Sequence, residues 1–181
     1  MTVRYAMVID TRLCIGCGDC VVACKTENKV PAGLNRDWIV EATSGSYPEL
    51  KTEFRSERCN HCSHATCVSM CPTGASQHWR DTNIVLVDAN KCTGCKACIA
   101  ACPYDARLIM HPEGYVDKCT FCHHRLAQGL DPACVSTCPT RCMHFGILDD
   151  PGSKVSRLLQ TRSHKTLMPE TGNQPNVYYL I

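Results

Sequence analysis

One spacing recurs along this chain and narrows what it can become. Cys14, Cys17, Cys20 and Cys24 read "CIGCGDCVVAC", with gaps of two, two and three residues. Cys92, Cys95, Cys98 and Cys102 repeat those gaps in "CTGCKACIAACP". Cys59, Cys62, Cys67 and Cys71, in "CNHCSHATCVSMCP", widen the middle gap to four. Cys119, Cys122, Cys134 and Cys138, in "CTFCHHRLAQGLDPACVSTCPT", widen it to eleven. The four groups use all but one of the 17 cysteines, and Cys142 is left over. Such density in 181 residues marks a cysteine-built scaffold. With three Phe, two Trp and six Tyr, aromatic burial cannot carry the fold, so disulfides or metal must.

Three chemistries compete for these groups. Disulfides fit poorly, because cysteines three apart on a tight loop point to a common centre instead of pairing. Zinc takes two separated Cys-x2-Cys pairs and leaves a third cysteine at the same spacing without a role. The run Cys-x2-Cys-x2-Cys-x3-Cys-Pro is the bacterial ferredoxin pattern, in which three thiolates hold one iron–sulfur cubane and the fourth reaches its neighbour. Two copies of its cysteine spacing and two variants favour that reading. The last group alone would also suit a zinc finger; within the series it reads as a ferredoxin motif with an insert. The insert "HHRLAQGLDPA" (123–133) offers helix formers, then Gly129 and Pro132 as stops.

Ligand exchange then organises the chain as an α+β protein of two nested ferredoxin-like modules with long loops. The inner module (51–109) would pair Cys59, Cys62 and Cys67 with Cys102, and Cys92, Cys95 and Cys98 with Cys71. The outer module (1–50 and 110–149) would pair Cys14, Cys17 and Cys20 with Cys138, and Cys119, Cys122 and Cys134 with Cys24. Pro72, Pro103 and Pro139 follow their cysteines as the pattern asks, whereas Lys25 follows Cys24. "YAMVID" (5–10) and "HFGILD" (144–149) read as edge strands of the outer module. "WIVEAT" (38–43) reads as a strand among loops, and "DTNIVLVDAN" (81–90) as a turn at Thr82-Asn83 followed by a short strand. The tail (150–181), with "DDPGS" and "MPETGNQP", is expected to wrap the surface or dock on a partner. Cys142 is expected to fill a small buried slot as an inert thiol, like Ala75 and Ala106 four residues after their own cysteines.

The composition also excludes functions. A formal charge of +2 without a basic run gives no argument for nucleic acid. No apolar stretch approaches the roughly 20 residues of a membrane span. The first cysteine group follows "MTVRYAMVIDTRL" at once, so no signal peptide is expected. Four oxidised cubanes with their thiolates would add roughly −8, leaving a holoprotein of about −6. Arg12, Lys25, Arg58, Lys91, Lys96, Lys118 and Arg141 stand beside ligands, where they would temper that charge and raise potentials. Sixteen cysteines saturate sixteen irons, so the expected role is electron transfer, not Lewis-acid catalysis. His61, His64, His123 and His124 replace no missing ligand and read as hydrogen-bonding or surface residues.

With all groups placed, the chain resembles the four-cluster ferredoxin-type (beta) subunits of complex iron–sulfur molybdoenzymes, of the polysulfide/thiosulfate and dimethyl sulfoxide reductase type. "MVIDTRLCIGCGDCVVACKTEN", "NKVPAGLNR", "CNHCSHATCVSMCPTGA", "VDANKCTGCKACIAACPYDAR", "DKCTFCHHRLAQGLDPACVSTCPT" and "HFGILDDP" carry the resemblance. It implies four [4Fe–4S] clusters here and a molybdenum or tungsten bis-pterin on a catalytic partner. It further implies an integral membrane anchor subunit that exchanges electrons with quinone, so that this chain meets the membrane only through a partner. That complex would face the periplasm, by co-export with a signal-bearing partner, or the cytoplasm. In the resemblance the Cys14 cluster lies toward the catalytic subunit, the inner module along the path, and the other outer cluster nearest the quinone. A free soluble polyferredoxin is the alternative. The terminal substrate (polysulfide, thiosulfate, tetrathionate, dimethyl sulfoxide or an arsenic oxyanion) belongs to another chain.

Overall fold

The computed structural model describes residues 3–181. Strand β1 (Tyr5–Asp10) is a nearly continuous apolar run, which suits a strand buried on both faces. Met7 and Ile9 enter the main core; Ala6 and Val8, on the opposite face, meet Val155 and Leu180 in a smaller one. There follow α1 (Asp19–Asn28), β2 (Asp37–Ser44), β3 (Lys51–Arg58), α2 (Thr66–Ser69), β4 (Ser76–His78) and β5 (Val85–Val87). Next come α3 (Ala97–Ala100), β6 (Leu108–Ile109), β7 (Val116–Asp117), α4 (His123–Leu126) and α5 (Ala133–Thr137). Strand β8 (Met143–Ile147), helix α6 (Lys154–Thr161), β9 (His164–Lys165) and β10 (Val177–Leu180) complete the chain. The mixture is α+β, and α4 occupies the insert of the last cysteine group.

The largest sheet has the order β8-β1-β10-β9. Strand β8 lies antiparallel to β1, joining the segment before the first cysteine group to the segment after the last. Two expectations need correction here. Strand β1 is internal, not an edge, because β10 pairs with it in parallel from Met7↔Val177 to Asp10↔Leu180. The tail is likewise part of the fold: Val177, Tyr179 and Leu180 are fully buried. Its "VYYL" is the short apolar run that such a buried strand requires.

Three two-stranded sheets complete the picture: β2–β3, β4–β5 and β6–β7. In the longest, Asp37 stands opposite Arg58 at the buried base, and Ser44 opposite Lys51 near the exposed tip. Alternate residues of β3 turn inward. Although β3 falls within the span expected for the inner module, it lies against the outer cysteine groups. A Cβ on Gly16, at φ +70°, would come within 2.7 Å of the Phe54 ring, so only glycine fits there. Ser56 Oγ lies 3.4 Å from Cys20 Sγ, and Arg58 reaches Cys134. At the other boundary the Val116 N–H lies 3.4 Å from Cys92 Sγ, so β7 belongs with the third cysteine group.

Among the helices, α1 packs on α5 and α2 packs on α3. These contacts bring group one to group four, and group two to group three.

Candidate metal centres

The thiols gather in four neighbourhoods, each drawing on two groups. Cys59, Cys62, Cys67 and Cys102 line one small cavity. Burial there, together with Cys59, Cys67 and Cys102, pushes the Cys62 thiol up to about 12. In the Cys119 neighbourhood, the Asn28 side-chain amide lies 3.6 Å from Cys24 Sγ and 3.8 Å from Cys122 Sγ. Burial raises the Cys24 pKa, and so do Asp37, Cys119 and Cys134. In the third neighbourhood, Cys142 Sγ lies 3.5 Å from Cys138 Sγ and senses Cys14. In the fourth, the Cys98 thiol is raised by burial and also by Cys67 and Cys71. Cys17 and Cys95 are the exposed members of the first and third cysteine groups.

The neighbourhoods have an order. Cys134 lies within electrostatic range of Cys20, Cys119 of Cys59, and Cys98 of Cys67. The run is therefore Cys14, Cys119, Cys59, Cys92. Along that run the thiols of the first and fourth groups come together, as do those of the second and third.

The donors suit an iron–sulfur cubane. They are thiols throughout, and in the Cys59 site four of them ring a cavity. Among the described residues no group of three His, Cys, Asp or Glu side chains is drawn together as for a single metal ion. Burial pushes Cys119 up to about 12 and Cys134 to about 11, so binding metal there must release protons. Cys71 and Cys138 behave oppositely. Burial would raise both, but local donors hold them below the usual thiol value. For Cys71 these are the Ser76 N–H at 3.3 Å and Thr73 Oγ1 at 3.7 Å. For Cys138 they are Thr140 Oγ1 at 3.7 Å and the Cys142 thiol. Both cysteines begin a Cys-Pro-Thr sequence.

Cys142 is buried as Ala75 and Ala106 are, but it is more than a filler, because its thiol hydrogen-bonds to Cys138. Of the basic residues named from sequence, Arg12, Lys91, Lys96 and Arg141 are exposed. Lys25 donates to the Pro31 and Leu34 carbonyls. Arg58 and Lys118 are buried, and Lys118 donates to the carbonyls of Val85 and Cys119. Sequence reasoning missed Arg107, buried and donating to Ser76 Oγ at 2.8 Å beside Cys67 and Cys98. Its signal was a lone cation five residues beyond the Cys102 motif. His64 is exposed, whereas His61 is fully buried and its Nδ1 accepts the Val85 N–H at 3.0 Å. His124 pairs with Glu27 at 2.7 Å.

Residues 50–148 match a family model described as a 4Fe-4S dicluster domain, and residues 13–75 match a second of the same description. The chain belongs to the 4Fe-4S dicluster family, as a ferredoxin-type iron–sulfur subunit. It is 45% identical over 178 residues to Protein NrfC of Escherichia coli K12, covering 97% of this chain and 80% of the relative. A tetrathionate reductase subunit of Salmonella typhimurium is 42% identical over 181 residues, covering 98% of this chain and 72% of the relative. The arsenate respiratory reductase iron-sulfur subunit ArrB of Shewanella sp. is 35% identical over 225 residues, covering 98% and 96%. Among the described residues no helix is long and apolar enough to cross a membrane.

Proposed function

We propose that this ferredoxin-type chain is a single-file electron relay with four [4Fe–4S] clusters, working between two partner subunits. Two nested modules would hold the clusters, an inner one over roughly 59–117 and an outer one closed by β1, β8 and the tail. The helix packing of α1 on α5 and of α2 on α3 supports the nesting. The ligands would be Cys14, Cys17, Cys20 and Cys138; Cys119, Cys122, Cys134 and Cys24; Cys59, Cys62, Cys67 and Cys102; and Cys92, Cys95, Cys98 and Cys71. When bound, each cluster supplies a one-electron couple.

One observation carries the relay: the order of the sites matches their exposure. Cys17 and Cys95, at the two ends, are exposed, while Cys59, Cys62, Cys119, Cys122 and Cys134 between them are buried. The buried thiols keep water from the middle of the path, and the exposed ones offer it to partners at both ends. By analogy with relatives named as subunits of tetrathionate and arsenate reductases, one partner would be the catalytic subunit of a reductase, and the resemblance to the complex iron–sulfur molybdoenzymes gives that subunit a molybdenum or tungsten pterin. The other is a membrane anchor that exchanges electrons with quinone. Gentle co-purification from the native host tests this: both partners should come with the chain. Recovery as a lone monomer whose clusters cycle normally would contradict it.

A further inference from the structure

Arg58 is 1% exposed, and a guanidinium cannot shed its charge in a protein. Its Nη1 donates to the Cys134 sulfur at 3.1 Å. Its Nη2 donates to Ser56 Oγ, whose oxygen lies 3.4 Å from Cys20 Sγ. The hairpin register sets Asp37 opposite, with Oδ2 3.8 Å from Nη1. Arg58 therefore stands at the seam between the Cys119 site and the Cys14 site. Away from water, such a charge is weakly screened. Net charge and hydrogen bonds to the sulfurs are among the factors that set an iron–sulfur potential.

We infer that Arg58 is a positioning residue that holds the cluster of the Cys119 site at a higher reduction potential than its four thiolates alone would give. The inference rests on the ligand reading proposed above. Reduction of that cluster takes one electron from a one-electron mediator dye, which is oxidised; no bond changes and no proton moves. A fixed positive charge in contact with a ligand sulfur favours the more negative, reduced form. Asp37, 3.8 Å from the guanidinium and close to Cys24, acts in the opposite sense; of the pair it is Arg58 that donates to the Cys134 sulfur. If Arg58 only tied β3 to β2 through Asp37, its replacement would leave the potential alone.

The test is an anaerobic redox titration of the full-length chain carrying its clusters, followed by electron paramagnetic resonance. Wild type, Arg58→Gln and Arg58→Lys are compared, with iron measured in the same samples. In Arg58→Gln one midpoint should fall by at least a tenfold change in the reduced-to-oxidised ratio, about 59 mV for one electron. Arg58→Lys, which keeps the charge and loses the planar fork, should show a smaller fall at the same cluster. Full iron with every midpoint unmoved in Arg58→Gln overturns the inference and leaves the ligand reading standing. Wild-type iron of about eight or fewer per chain overturns the ligand reading itself. If Arg58→Gln loses its clusters, Arg58→Lys decides: a lowered midpoint supports the inference and an unmoved one overturns it.

Discussion

The imidazole of His61 stacks on the ring of Phe121, with centroids 3.7 Å apart and planes 23° from parallel. The two residues hold the same place in their motifs, third in Cys-x2-Cys, and both have positive φ, 44° and 51°. The stack lies where the second cysteine group meets the fourth. Phe121 also meets Phe145 of β8 edge-on at 5.1 Å, which ties the junction to the main sheet. Burial, with Lys118 and Arg107 nearby, drives the His61 pKa well below its ordinary value. The ring is therefore neutral, and its acceptance of the Val85 N–H fixes the proton on Nε2.

Phe121→Ala should destabilise the protein by about 3–5 kcal/mol, the usual cost of emptying a buried phenylalanine site. Anaerobic denaturant unfolding, followed by loss of cluster absorbance, measures it. A cost below about 1 kcal/mol would mean that the stack does not hold the junction.

Cys102→Ser should remove the cluster of the Cys59 site and lower iron by about four per chain. Because that site is internal to the run, quinol-dependent turnover in the assembled complex should be lost. Turnover at the wild-type rate would contradict a single-file path.

Cys142→Ala should keep all four clusters, because alanine already fills the matching slots at Ala75 and Ala106. The loss is the hydrogen bond to Cys138, so the change should appear in the spectrum and midpoint of the Cys14 site. Loss of about four irons would instead make Cys142 a ligand.

Deleting residues 173–181 should give a chain that aggregates or loads iron poorly. Without Val177, Tyr179 and Leu180, one edge of β1 and both cores open to water. Soluble recovery with wild-type iron would contradict the role of β10 as a core strand.

The cysteine groups were legible because a cubane imposes its own spacing, and β1 was legible because a continuous apolar run has few other uses. The insert after Cys122 was legible too, since Gly129 and Pro132 leave room for only a short helix, α4. What sequence hid is long-range. Nothing local says that "VYYL" returns to lie beside "YAMVID", so the loop signals around it dominated. Arg58 and Arg12 look alike in sequence, each a cation near a motif. Only the pairing of β2 with β3, which sets Arg58 against Asp37 beneath the hairpin, buries one and leaves the other in solvent. Which thiols of different groups meet was hidden for the same reason, as it depends on contacts far apart along the chain.

The most direct test of the central claim is iron and acid-labile sulfide per chain in anaerobically purified protein. About sixteen of each are expected, one cubane for every four of the assigned cysteines. About eight or fewer of each in fully loaded protein would contradict it.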